Sequence, residues 1–138
     1  MTFDDATRTF SADSIDNAEA GTYTIEVTAS YTDGTSVSDS FDYTLNTCDL
    51  TGVGITDVNY DIYSTSTTFT VTGFTLSDTH CPDPTYTAVE QSQAGLPTFI
   101  SNFDGPTLTF TIDSSDNTEA ATYIIELTGE YADGTTAT

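Results

Sequence analysis

Oxygen-bearing side chains recur in one spacing at two places in the chain. Asp13, Asp16, Asn17 and Glu19 form a D-x-x-D-N-x-E pattern, and Asp113, Asp116, Asn117 and Glu119 repeat it. Hard oxygen ligands grouped in a loop are what calcium requires, so both clusters are candidate calcium sites, with Asp33 and Asp133 as further carboxylates from D-G turns. The same residue types also cap and bend a chain without metal, because Asp and Asn side chains accept hydrogen bonds from backbone amides close by. Turn chemistry and calcium binding are the two readings, and the EF-hand spacing is absent. A second acidic set, Asp49, Asp57 and Asp61, offers either junction carboxylates for calcium or solvated strand edges.

For catalysis the inventory is thin. His80 is the only histidine and adjoins Cys81, and neighbours on an extended chain point to opposite faces. Cys48 and Cys81 lie 33 residues apart and lack the C-x-x-C spacing of zinc or redox sites. An even count in an acidic, Thr-rich chain predicts one structural disulfide and an oxidising compartment, two buried thiols being the alternative. Carboxylates abound, but nothing marks two of them as a glycosidase pair, and no Trp is present for sugar stacking. There is no phosphate-binding glycine loop and no H-E-x-x-H. These features predict a protein that is not an enzyme.

Net charge is −21, from 22 acids against Arg8 alone. Phosphate recognition needs Lys and Arg, so nucleic acid and anionic membrane surfaces are excluded as partners. No run approaches the ~20 apolar residues of a membrane span, so no membrane insertion is expected. The opening MTFDDATRTF has neither the basic start nor the apolar stretch of a signal peptide. No N-x-S/T sequon occurs; Ser64–Thr68 and the final TTAT offer hydroxyls for O-linked glycans or simply the wet face of strands.

The elements that must position these residues are strands. Thr and Ser make about a third of the chain, with eight Tyr and eight Phe, a composition that suits pleated, half-buried surfaces. In Gly21 to Tyr31, Tyr23, Ile25, Val27 and Tyr31 share one face by period-two alternation; Tyr123, Ile125, Leu127 and Tyr131 repeat it. Further strands are expected at Thr7–Ala12, Ser38–Leu45, Ile55–Tyr63, Thr67–Phe74, Thr85–Glu90, Phe99–Phe103 and Thr107–Ile112. Asp33-Gly34 and Asp133-Gly134 have the chemistry of tight hairpins.

A repeat organises these strands. Residues 1–38 align without a gap on residues 101–138, an offset of 100, and 20 of the 38 pairs are identical. That period suits one β-sandwich domain and is too long for a solenoid unit. Residues 1–47 therefore read as the second half of one repeat, and 48–138 as the next repeat without its last strand. The counterpart of Ser38–Leu45, where Phe41, Tyr43 and Leu45 alternate with polar neighbours, is missing from the second copy. The sequence leaves three parses open: an excerpt of a longer array, a strand supplied by a neighbouring molecule with Phe41, Tyr43 and Leu45 as anchors, or one repeat in permuted order.

The segment EAGTY (Glu19 to Tyr23), with Glu119 to Tyr123 in the second copy, resembles the tyrosine corner of immunoglobulin folds. The succession LPTFI, TLTFTI, ATYIIELTGEYADGT is similar to putative-Ig and dystroglycan-type cadherin-like repeats. Paired cysteines near CDL and HCPDPTY look like variants found in large protist or algal surface proteins. The resemblance implies an all-β, immunoglobulin-like (cadherin-like) β-sandwich in tandem repeat, and tyrosine corners at Tyr23 and Tyr123. It also implies an extracellular, cell-surface module for display, adhesion or fibre building. Two functions are expected from this. The first is a structural subunit of an extracellular filament or appendage, with copies of itself as partners and no required cofactor. The alternative is a calcium-dependent adhesin that recognises a glycan or protein.

Overall fold

The computed structural model describes residues 1–138 and contains twelve short strands, two single 3-10 turns and no α-helix. All strand pairs are antiparallel. The chain divides into two compact units, Met1–Cys48 and Asp49–Thr138.

Unit 1 holds β1 (Thr2–Asp4), β2 (Thr9–Ser11), β3 (Gly21–Ser30) and β4 (Ser36–Leu45). β1 pairs with β2, and Phe3 opposite Phe10 puts the two rings 4.6 Å apart. β3 and β4 form a ten-residue hairpin running from Gly21↔Leu45 to Ser30↔Ser36. Its turn is set by chemistry local to the sequence. The Asp33 carboxylate accepts from the Thr35 amide at 2.8 Å, and Gly34 adopts φ +88°, which costs a side-chain-free residue little. Phe41 from β4 meets Phe10 edge-on at 5.5 Å. No residue of this unit is fully buried, and Ile15, Tyr31, Val37 and Phe41 stay exposed.

Unit 2 has three sheets. β6 (Thr67–Thr70), β10 (Thr109–Ile112) and β9 (Ile100–Asp104) form one, in the order β6-β10-β9, with an irregular step at Thr111/Ile112. β12 (Thr136–Ala137), β11 (Ile125–Glu130) and β8 (Thr85–Glu90) form the second, and β5 (Leu50–Gly52) with β7 (Phe74–Leu76) the third. Val71, Ile100, Phe110, Ile112 and Leu127 make the core, flanked by Phe69, Phe74, Tyr86 and Phe103. Phe110, 3% exposed, sits between Phe69 at 5.2 Å and Phe103 at 4.6 Å. Gly129 lets strands pack closely here: a Cβ would lie 2.8 Å from Leu50 Cδ2 and 3.2 Å from Phe74 Cδ2.

Two strand expectations are corrected. Ile55–Tyr63 forms no strand; Tyr63 takes φ +69°, and the Tyr60 hydroxyl donates to the Ser64 carbonyl at 3.0 Å while accepting from the Ser114 amide. The alternation of Val58, Tyr60 and Ile62 belongs to a loop in which Tyr60 and Ile62 are half-buried while Val58 and Tyr63 stay exposed. Thr67–Phe74 is two strands rather than one, because the chain leaves the β6 ladder at Val71–Gly73, where the Val71 amide bonds to the Leu108 carbonyl at 3.0 Å. β1, β5 and β7, each of three residues, were too short to show a period.

Candidate functional site

Both acidic motifs fold into the same small device. Asp16 and Asp116 sit in extended conformation (φ, ψ of −113°, 113° and −109°, 111°) and cap the 3-10 turns Asn17–Glu19 and Asn117–Glu119. The Asp16 carboxylate accepts from the Ala18 amide at 2.8 Å; that of Asp116 accepts from the Thr118 amide and hydroxyl, each at 2.8 Å. The Thr118 amide bond, then its hydroxyl, holds the Asp116 carboxyl below its ordinary value. Glu19 accepts from Ser14 and Glu119 from Ser114, both at 2.5 Å. Asn17 brackets Cys48 with two bonds, its amide donating to the Cys48 carbonyl at 2.9 Å and its oxygen accepting from the Cys48 amide at 2.7 Å. Asp13 and Asp113 stand just before these turns, on the approach from β2 and β10. The structure gathers no group of three or more His, Cys, Asp or Glu side chains able to hold a metal ion.

The Tyr23 hydroxyl donates to the Glu19 carbonyl at 2.5 Å, and the Tyr123 hydroxyl to that of Glu119 at 2.9 Å. The first bond ties the start of β3 to the turn four residues earlier, and the second ties the approach to β11 to its own turn. Tyr123 also packs its ring on Phe99 at 4.9 Å.

Cys48 and Cys81, the only cysteines, are disulfide-bonded to each other. Such a bond belongs to an oxidising compartment. His80 lies on the surface with Nδ1 2.7 Å from Asp78, whose carboxyl is held below its ordinary value chiefly by the His80 backbone amide. With the Cys81 sulfur in a disulfide, this pair has no thiolate to activate.

The three proposed anchors lie on β4, where Tyr43 pairs with Tyr23, Phe41 with Ile25 and Leu45 with Gly21. They face their own hairpin partner, and Phe41 remains 45% exposed.

The corresponding strand in unit 2 is β11. β11 is paired to β8 along its whole length but to β12 only at Gly129↔Ala137 and Glu130↔Thr136. Beside its bare part runs an open groove of about 470 Å³, lined by Ile125, Leu127, Gly52, Ile55, Gly73 and Phe74 among others. The groove itself was not foreseen, because its far wall comes from loops with no pattern of their own. No helix is long and apolar enough to cross a membrane. No protein family, curated protein or solved structure matches the chain.

Proposed function

We propose that this chain is a structural subunit of an extracellular filament or surface appendage, built from immunoglobulin-like β-sandwich repeats joined head to tail. The observation that carries the reading is one segment used twice, a hundred residues apart, with the same local build. Residues 1–38 and 101–138 share capped turns, hairpin geometry and the Phe pair at 4.6 Å. Repeats of one design, joined covalently or by a donated strand, form a continuous rod, with main-chain ladder bonds providing the hold in the second case. The disulfide supports placement outside the cell, and the −21 charge keeps neighbouring rods apart and soluble.

Electron microscopy of the purified chain, with and without a calcium chelator, tests this. Regular filaments with an axial repeat of roughly 35–50 Å are expected from strands rising ~3.3 Å per residue. Isolated particles in both conditions would remove the filament. The adhesin reading draws only on the acidic loops, whose carboxylates serve neighbouring amides and hydroxyls; a calorimetric titration without calcium heat would leave it unsupported.

A further inference from the structure

We propose that the Cys48–Cys81 disulfide is a mechanical clamp: it carries tension past residues 49–80, whose first ladder would otherwise unzip under load. The proposal rests on the reading above, since a subunit of a filament or surface appendage is pulled along its chain.

The build of one end of the β5–β7 sheet carries it. β5 and β7 are antiparallel, with Leu50 opposite Leu76, Thr51 opposite Thr75 and Gly52 opposite Phe74. The N-terminal end of β5 and the C-terminal end of β7 therefore lie together. Asp49 and Ser77 continue the pairing outward: the Ser77 amide donates to the Asp49 carbonyl at 3.0 Å, and the Asp49 amide to the Ser77 hydroxyl at 2.8 Å. The disulfide comes next, with the Ser77 hydroxyl 3.7 Å from the Cys81 sulfur. Cys48 and Cys81 are thus the outermost link, at the end where the chain arrives from residue 47 and leaves toward β8.

Tension that separates these two points loads an antiparallel pair from one end. Its cross-strand bonds, which lie perpendicular to the strands, then open one after another instead of together. Three residue pairs hold β5 to β7, against six between β8 and β11, so β5 yields first. A covalent S–S link at the loaded end takes this tension and leaves the ladder slack.

The segment so protected supplies part of the core. Residues 49–80 contribute β5, β6 and β7, the buried Val71, and Phe69 and Phe74 packed beside it. The surroundings keep the clamp shut. Cys81 is 7% exposed, and Asp49, Asp78 and Asp83 each stand within three residues of a cysteine. A disulfide opens by attack of a thiolate, an anion that these carboxylates repel.

Single-molecule pulling on the full chain, with handles at Met1 and Thr138, compares the native protein with a variant carrying Cys48→Ala and Cys81→Ala. The variant releases residues 49–80 beginning with an added early step, at a lower force than the native protein needs. Its fully extended chain is longer by about 100–115 Å, from 33 residues at ~3.3–3.6 Å each less a bridged Cα separation of about 5–6 Å. Native protein in a neutral phosphine reductant gives the same open state should the variant not fold. Moving the first handle to the exposed Asp83 brings the load in beyond the clamp, and there the disulfide makes no difference to the force. Equal forces with and without the disulfide in the first geometry overturn the clamp. An equal loss of force with the Asp83 handle also overturns it, because the bond then acts on stability in general. Filaments seen together with either of these results spare the filament reading. The early step without filaments upholds the clamp and removes the filament.

Discussion

Residues 1–38 and 101–138 are near-copies in sequence, yet one lies in solvent and the other in a core. Tyr31 is 73% exposed, whereas Tyr131 is 4% exposed. Phe10 and Ser14 are half-buried, whereas Phe110 and Ser114 are buried. Over the same span the hydrogen-bonded details agree closely. Arg8 and Leu108 both take positive φ, at 56° and 52°, and Gly34 and Gly134 take 88° and 87°. The difference is company. Unit 2 brings Phe69, Val71 and Ile100 against its copy, while unit 1 has only β4 to set against β3. Turn and cap geometry follows from a few adjacent residues, whereas burial depends on what else the unit contains.

Substitutions made in pairs, one in each copy, break or sharpen this comparison. The largest effect is expected at the phenylalanines. Phe110→Ala should destabilise unit 2 by about 3–5 kcal/mol, the usual cost of emptying an aromatic core site. Phe10→Ala should cost unit 1 far less. Hydrogen exchange at β10 and β2 amides would measure each; equal losses would mean that the two copies are equally packed.

Next is Gly129→Ala, whose Cβ meets Leu50 and Phe74 at 2.8 and 3.2 Å. It should cost about 1–3 kcal/mol by overpacking. Unit 1 already carries Ala29 at the corresponding place, so Ala29→Gly should change little; urea unfolding followed by residue-resolved NMR would separate the two.

Removing the corner hydroxyls tests a subtler contrast. Tyr123→Phe gives up a part-buried bond to Glu119 and should cost about 1 kcal/mol, whereas Tyr23→Phe, more exposed, should cost less. A larger loss from Tyr23→Phe would invert the comparison.

The smallest effect is at Tyr131, whose buried hydroxyl has no hydrogen-bonding partner in the protein. Burial, followed by the charges of Tyr86, Asp49 and Asp133, raises its pKa. The folded state therefore holds this proton more tightly than the unfolded chain. The resulting stability is complete below the unfolded value of about 10 and is lost as pH rises through the folded value. Tyr131→Phe should leave unit 2 as stable at neutral pH, or more so by up to about 1 kcal/mol, and should flatten its alkaline loss. Tyr31→Phe, at a 73% exposed side chain, should leave stability at neutral pH unchanged; thermal melts would show both, run from neutral to alkaline pH for Tyr131→Phe.

Much of this protein was legible residue by residue. The alternation of Tyr23, Ile25 and Val27 gave β3, the D-G pairs gave both hairpin turns, and Thr85–Glu90 is β8 to the residue. These succeed because each rests on neighbours within a few positions. Ile55–Tyr63 failed because a loop held by the Tyr60 hydroxyl shows the same alternation as a strand. The acidic motifs illustrate the limit from the other side: sequence supplied the oxygens, while the fold spent those of Asp16, Asp116, Glu19 and Glu119 on amides and hydroxyls.

By itself, then, the sequence determined the β class, the hundred-residue offset and the local turns, because period and side-chain chemistry act over short distances. Tertiary structure alone decided which copy is buried and which strands share a sheet. Those outcomes depend on segments far apart in the chain, residues 49–100 against 101–138 and β4 against β3, meeting in space.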